Sequence, residues 1–187
     1  QEPDAWRDDV ERARDALPAE KVLSVSVVGT IEEGWSLDEL AADYARCARW
    51  AVESGADCVE ANFSCPNVAT CDGQLYQEPA SAAIVAARVR ESIGRVPLLV
   101  KIGYVETPEA AAALLDALAP YVDGLSMTNS IATQVTSAEG KLLFDGERRG
   151  ICGDATREAS LAQTAMFARL ARERDLKLTL VGVGGAS

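Results

Sequence analysis

The chain alternates five times between a short run of strand-forming residues and an amphipathic stretch of helix length. That alternation limits the possible folds more than any other property. The strand-like runs are "VLSVSVV" (22–28), "DCVEANF" (57–63), "PLLVKI" (97–102), "VDGLSMT" (122–128) and "LKLTLVGV" (176–183). In the first, Leu23, Val25 and Val27 share one face and Ser24 and Ser26 the other. Helices are predicted over "DAWRDDVERARDAL", over "SLDELAADYARCARWAVESG", over 79–93, from Thr107-Pro108 onward, and over 156–174. Ser36 and Glu39 have capping-box spacing, Gly55 supplies a stop, and Thr107-Pro108 reads as N-cap and first helical residue. Repeated βα units predict a parallel sheet with helices outside it. The sequence opens in a helix with no strand before it and stops at "GVGGAS", where another helix is due. Five strands do not close a barrel, which takes eight. The α/β expectation is therefore either an open, doubly wound sheet or the middle of a (β/α)8 barrel, with residues 1–187 forming one domain or part of one.

Charge and composition narrow the function. A net charge of −11 opposes phosphate backbones and anionic lipid surfaces, so nucleic acid and membrane are not expected partners. No apolar run of about 18 residues and no charged-then-apolar leader is present, so a cytoplasmic protein is expected. Five cysteines (47, 58, 65, 71 and 152) form no metal-ligand spacing, which predicts reduced thiols and no bound metal. The chain contains no histidine, which removes Ser-His-Asp and Cys-His catalysis. Proton chemistry at neutral pH then falls to Cys, Lys, Tyr or a carboxylate.

In parallel α/β folds, ligand chemistry collects at the C-terminal ends of the strands. Here those ends carry Asn62 with Ser64-Cys65-Pro66-Asn67, then Lys101, then Thr128-Asn129-Ser130, then Gly184-Gly185. Each has a plainer reading. Asparagine in a turn bonds its own backbone, a cysteine can be a small buried hydrophobe, and glycine pairs make turns. Four consecutive strand ends of this kind nevertheless point to a site. The segment from Ser130 to Ala155 shows no periodicity and reads as a long loop. Its "RRGICG" (148–153) would bring glycines and positive charge toward the next helix.

The stretches "ANFSCPNV", "LLVKIGY", "GLSMTNSI", "GICG" and "LVGVGG" resemble, in order and spacing, the dihydroorotate dehydrogenases and the related dihydropyrimidine dehydrogenase barrel. The resemblance runs from about residue 20 to the end, and the Asn-x-Ser-Cys-Pro-Asn element is its most specific part. It implies an FMN-dependent (β/α)8 barrel, here an incomplete one covering about five βα units, strands three to seven. By the same resemblance, Cys65 falls on the base of the cytosolic, cysteine-using class. Asn62, Asn67, Asn129 and Ser130 fall on substrate positions, and Asn62, Lys101, Thr128, Gly153, Gly184 and Gly185 on flavin positions. "RRGICG" is less glycine-rich than the family's usual run, and "DATRE" replaces the residues that follow it. A substrate lysine on the first barrel strands and the phosphate glycines of the eighth lie outside this stretch.

The implied reaction is oxidation of dihydroorotate to orotate in pyrimidine biosynthesis. The alternatives are reduction of uracil-like bases by the same thiol, or a barrel fragment that binds a phosphorylated ligand without catalysis. Oxidising a dihydropyrimidine takes a proton from C5 and a hydride from C6, and a thiolate can act as the base without histidine. A free thiol titrates near about 8.5, so a thiolate needs donors or positive charge beside it. Asparagines suit a ring of alternating C=O and N–H groups, since each amide carries both a donor and an acceptor. The expected partner is a small dihydropyrimidine, the full-length protein is expected to be a homo-oligomer, and residues 1–187 alone are expected to be inactive.

Overall fold

The computed structural model describes residues 2–32, 34–65, 69–70 and 73–185. Five strands form its main sheet: β1 (Ser24–Val27), β2 (Cys58–Asn62), β3 (Leu98–Lys101), β4 (Gly124–Met127) and β5 (Thr179–Gly182). They pair in sequential order and all are parallel. Sequential order with right-handed crossovers puts every helix on the same side, as in an arc of a barrel. A doubly wound sheet would reverse its strand order partway, and this one does not.

The helices are α1 (Pro3–Ala16), α2 (Leu37–Glu53), α3 (Pro79–Ile93), α4 (Pro108–Leu118) and α5 (Arg157–Glu173). The start of α2 is the expected capping box: Glu39 N donates to Ser36 Oγ at 3.3 Å and Ser36 N donates to Glu39 Oε2 at 2.7 Å. Gly55, at φ +101°, ends it in the left-handed region. At α4, Ala110 N donates to Thr107 Oγ1 at 3.2 Å with Pro108 in the first turn, as expected.

Alternation along the strands divides the sheet into two chemically different faces. Val27, Val59, Ala61, Leu98, Val100, Leu125 and Met127 point toward the helices and are buried there against Leu40, Tyr44, Val85, Leu114 and Phe167. Alanines at 41, 45, 48, 82 and 86 keep the facing sides of α2 and α3 small, so the two helices pack closely. The opposite, concave face is largely polar: Ser24, Ser26, Glu60, Asn62, Lys101 and Ser126 all belong to it. Gly124 is required where β4 approaches its neighbours, because a Cβ there would lie 2.3 Å from Thr179 O.

At the N-terminal ends of the strands, one clamp appears twice. Asp57 accepts from Leu23 N at 2.8 Å and pairs with Arg14. Asp123 accepts from Leu98 N at 2.8 Å and pairs with Arg90 at 2.5 Å. Each arginine spends its remaining donors on loop carbonyls, Leu17, Pro18 and Lys21 for Arg14, and Gly94, Val96 and Tyr121 for Arg90. These clamps lie on the face away from the polar strand ends, where barrel folds place stability rather than chemistry.

Residues 131–151, expected to be a loop, contain an antiparallel hairpin pairing Ile131–Gln134 with Arg148–Ile151. The strands are four residues each and mostly exposed, so they lack the apolar alternation that would reveal them in sequence.

Candidate active site

Parallel pairing brings the strand ends to one rim. In register, Asn62 lies opposite Lys101 and Lys101 opposite Ser126. The rim continues beyond the strands: Phe63 N donates to Lys101 O at 2.9 Å, Asn129 N to Ile102 O at 3.1 Å, and Thr128 N to Val183 O at 3.2 Å. Asn62, Lys101, Thr128, Asn129 and the Gly184-Gly185 turn thus stand side by side.

Two groups of the expected residues come into direct contact. In the first, Asn62 Oδ1 accepts from Ser64 N and from Ser64 Oγ, both at 3.1 Å. Asn129 Nδ2 donates to Ser64 Oγ at 2.7 Å and to Ser64 O at 3.3 Å, while Asn129 Oδ1 accepts from Ser130 N at 2.8 Å. Cys65 follows Ser64 directly, a half-buried free thiol packed against the edge of the core. Asn67, the third asparagine, lies outside the described residues.

The second group is built from backbone. Gly184 and Gly185 have φ of +107° and +66°, and Gly153 +73°. A Cβ on Gly185 would sit 2.7 Å from Arg157 Cβ and 3.1 Å from Gly153 O, so the turn after β5 packs on the entrance to α5. Thr156 Oγ1 donates to Gly153 O at 2.9 Å, and Ser160 Oγ donates to Val183 O at 2.7 Å, which locks both turns. The positive charge of "RRGICG" is spent within the hairpin instead of facing this turn. Arg149 pairs with Glu147 at 2.6 Å and covers the Phe144 ring, and Arg148 Nη2 donates to Ala132 O at 2.6 Å. The glycine of that run has a different use. Gly150 faces Ser130, whose Oγ would be 2.8 Å from any Cβ there.

Sequence reasoning missed three contributors. Tyr44 of α2 donates its hydroxyl to Asn62 O at 2.8 Å and holds the end of β2 from beneath. Burial pushes its phenol well above the ordinary tyrosine range. Glu60, on the same face as Asn62, accepts from Ser26 Oγ at 3.0 Å and from Ser126 Oγ at 2.7 Å, bridging β1 to β4 across the concave face. Its signal was a carboxylate within the apolar run "DCVEANF". Ser64 sat inside the most specific motif, but nothing in its type or spacing showed which groups it would join.

Thr128 Oγ1 is buried and has no hydrogen-bond partner among the described residues. Such a hydroxyl costs stability unless something else answers it. Also among the described residues, no cluster of three or more His, Cys, Asp or Glu could hold a metal, and no helix is long and apolar enough to cross a membrane.

The family model described as dihydroorotate dehydrogenase matches residues 5–187. A dihydroorotate dehydrogenase of Dictyostelium discoideum is 31% identical over 183 residues, covering 95% of this chain and 49% of that protein. Among solved structures, the dihydroorotate dehydrogenase of Eimeria tenella in complex with ferulenol superposes with a TM-score of 0.74 at 18% identity, over 100% of this chain and 54% of that one. Its ligand-free form gives 0.71 at 18% identity, over 96% and 53%. The chain therefore spans about half the length of these relatives, and its arc of five βα units is part of their barrel fold.

Proposed function

We propose that this chain, which belongs to the dihydroorotate dehydrogenase family, carries the base and much of the ring-binding surface of an FMN-dependent oxidoreductase that converts dihydroorotate to orotate. The observation that supports this best is the placement of Cys65 directly after a serine that joins Asn62 to Asn129, on the rim that also carries Lys101.

The residues present fit a flavin mononucleotide. Thr128 has a buried hydroxyl with no partner among the described residues, Gly153 has open space where a Cβ would lie, and Gly184 and Gly185 make a positive-φ backbone turn packed against Gly153 and Arg157. Bare backbone N–H groups at such a turn suit a phosphate. Lys101 would lie along the flavin's pyrimidine edge and stabilise negative charge there. FMN, when bound, supplies the hydride acceptor for substrate C6.

In this reading the thiolate of Cys65 takes the C5 proton of the dihydropyrimidine as the C5–C6 double bond forms. Asn62 Oδ1 is already taken by Ser64, so Asn62 offers its Nδ2 donors to a ring carbonyl. Asn129, joined to Asn62 through Ser64, would meet the ring beside it, with Ser130 and Asn67 completing the set.

The test is anaerobic mixing of the full-length flavoprotein with dihydroorotate and, separately, with dihydrouracil. Loss of the visible flavin band with dihydroorotate is the expected result. Bleaching with dihydrouracil alone would transfer the assignment to uracil-like bases, and bleaching with neither would overturn it.

A further inference from the structure

The chain of hydrogen bonds through Ser64 permits only one assignment of its protons. A backbone N–H can only donate, so the Asn62 atom 3.1 Å from Ser64 N is the carbonyl oxygen. That oxygen also lies 3.1 Å from Ser64 Oγ, so the single hydroxyl proton of Ser64 points to Asn62. Ser64 Oγ must then accept from Asn129, and the Asn129 atom 2.7 Å away is nitrogen. Two further contacts require the same orientation: Ser130 N donates to the other Asn129 atom at 2.8 Å, and the Ser64 carbonyl lies 3.3 Å from Asn129 Nδ2.

We infer that Ser64 is a positioning residue which sets the orientation of both amides, so that Asn62 presents a donor and Asn129 an acceptor to the bound ring. This deepens the function proposed above and rests on it, since the ring it serves is the pyrimidine. A donor beside an acceptor matches an edge on which C=O stands next to N–H, as in a cyclic amide or imide. A purely apolar or all-acceptor edge would leave one of the two amides unanswered. Ser64 is buried, which removes water as a competitor for its hydroxyl.

The two asparagines depend on Ser64 unequally. Replacing Ser64 with alanine keeps its backbone N–H, so Asn62 retains an anchor, whereas Asn129 Nδ2 loses its short contact and keeps only the weaker one to the Ser64 carbonyl, with Oδ1 still accepting from Ser130 N. In the full-length flavoprotein, orotate binding would be measured from the perturbation of the flavin spectrum in the parent, Ser64→Ala, Asn129→Ala and the double variant. Ser64→Ala is expected to weaken binding by about tenfold alone, and by less than about twofold once Asn129 is alanine. Equal losses in both backgrounds, or no loss, would overturn the inference while leaving the proposed reaction standing.

A ligand-free measurement tests the same point should orotate not bind at all. Hydrogen exchange of the asparagine side-chain amides, followed by NMR with labelled asparagine, is expected to speed up at Asn129 in Ser64→Ala and to change less at Asn62. Unchanged exchange at Asn129 would overturn the inference whatever the substrate is. An unaltered melting temperature alongside faster exchange would separate positioning from a general loss of stability.

Discussion

Asp123 and Asp57 do the same work one (βα)2 unit apart: each accepts at 2.8 Å from the backbone N–H at the entrance to the neighbouring strand, and each is held by an arginine from a preceding helix. The pairs repeat at the N-terminal ends of the strands, the opposite end of the sheet from the candidate site.

Asp123→Ala is expected to destabilise the full-length protein by about 1–2 kcal/mol, the usual cost of leaving a buried backbone N–H unanswered. The partly exposed ion pair with Arg90 adds little to that figure. Chemical denaturation checks the loss. Orotate affinity of the folded protein should stay at the parent value, and a change there would show that the clamp reaches the rim.

Cys65→Ala should leave FMN bound and slow flavin reduction by dihydroorotate by roughly 10²–10⁴-fold, the range for a positioned general base. Cys65→Ser should restore little at neutral pH, because a hydroxyl is a far weaker acid and the chain has no histidine to activate it. Cys47, on the outer helix α2, is the control, and Cys47→Ala should change the rate less than about twofold. Stopped-flow absorbance measures all three variants. Full reduction by Cys65→Ala would remove the cysteine from the mechanism.

The hydroxyl of Thr128, buried without a partner among the described residues, gives a prediction of opposite signs for the two states of the protein. Thr128→Val deletes a buried donor that nothing in the described chain answers, and should raise the stability of the apoprotein by about 1 kcal/mol. The same change should weaken FMN, measured by fluorescence on release. A variant that loses apo stability and keeps FMN affinity would show that the hydroxyl does not serve the flavin.

Tyr44 predicts a pH dependence. Its folded pKa is raised above the unfolded value of about 10, so the stability it confers is fully present below about pH 10 and is lost as pH rises toward the folded value. Denaturant midpoints should therefore fall above about pH 10, and Tyr44→Phe should flatten that fall. Phe also removes the donor to Asn62 O, so orotate affinity should drop a few-fold at neutral pH. A variant with the same alkaline profile as the parent would assign the loss to other groups, such as Tyr76, which burial also raises.

Much of this architecture was legible in the residues because its signals are local. The Ser36–Glu39 box spans one helical turn, Thr107-Pro108 marks its helix within two residues, and the strand alternation repeats every second position. A parallel sheet then carries Asn62, Lys101, Asn129 and Gly184 to one rim as a matter of topology. The roles proposed for them rest on a motif resemblance, which points to Cys65 and the asparagines but not to the groups that hold them.

What the sequence determined alone is the set of βα units and the residues at their ends, since helix caps, strand faces and stops depend on neighbours within about four positions. Tertiary structure decided the winding of the sheet, the hairpin within 131–151, the bridge from Glu60 to Ser126 and the link from Ser64 to Asn129. Hydrogen bonds are directional, and a serine accepts or donates according to which group the fold places within 3 Å or so of its oxygen. For Ser64 that group lies 65 residues away in the chain, a separation at which residue type and spacing carry no record of the partner.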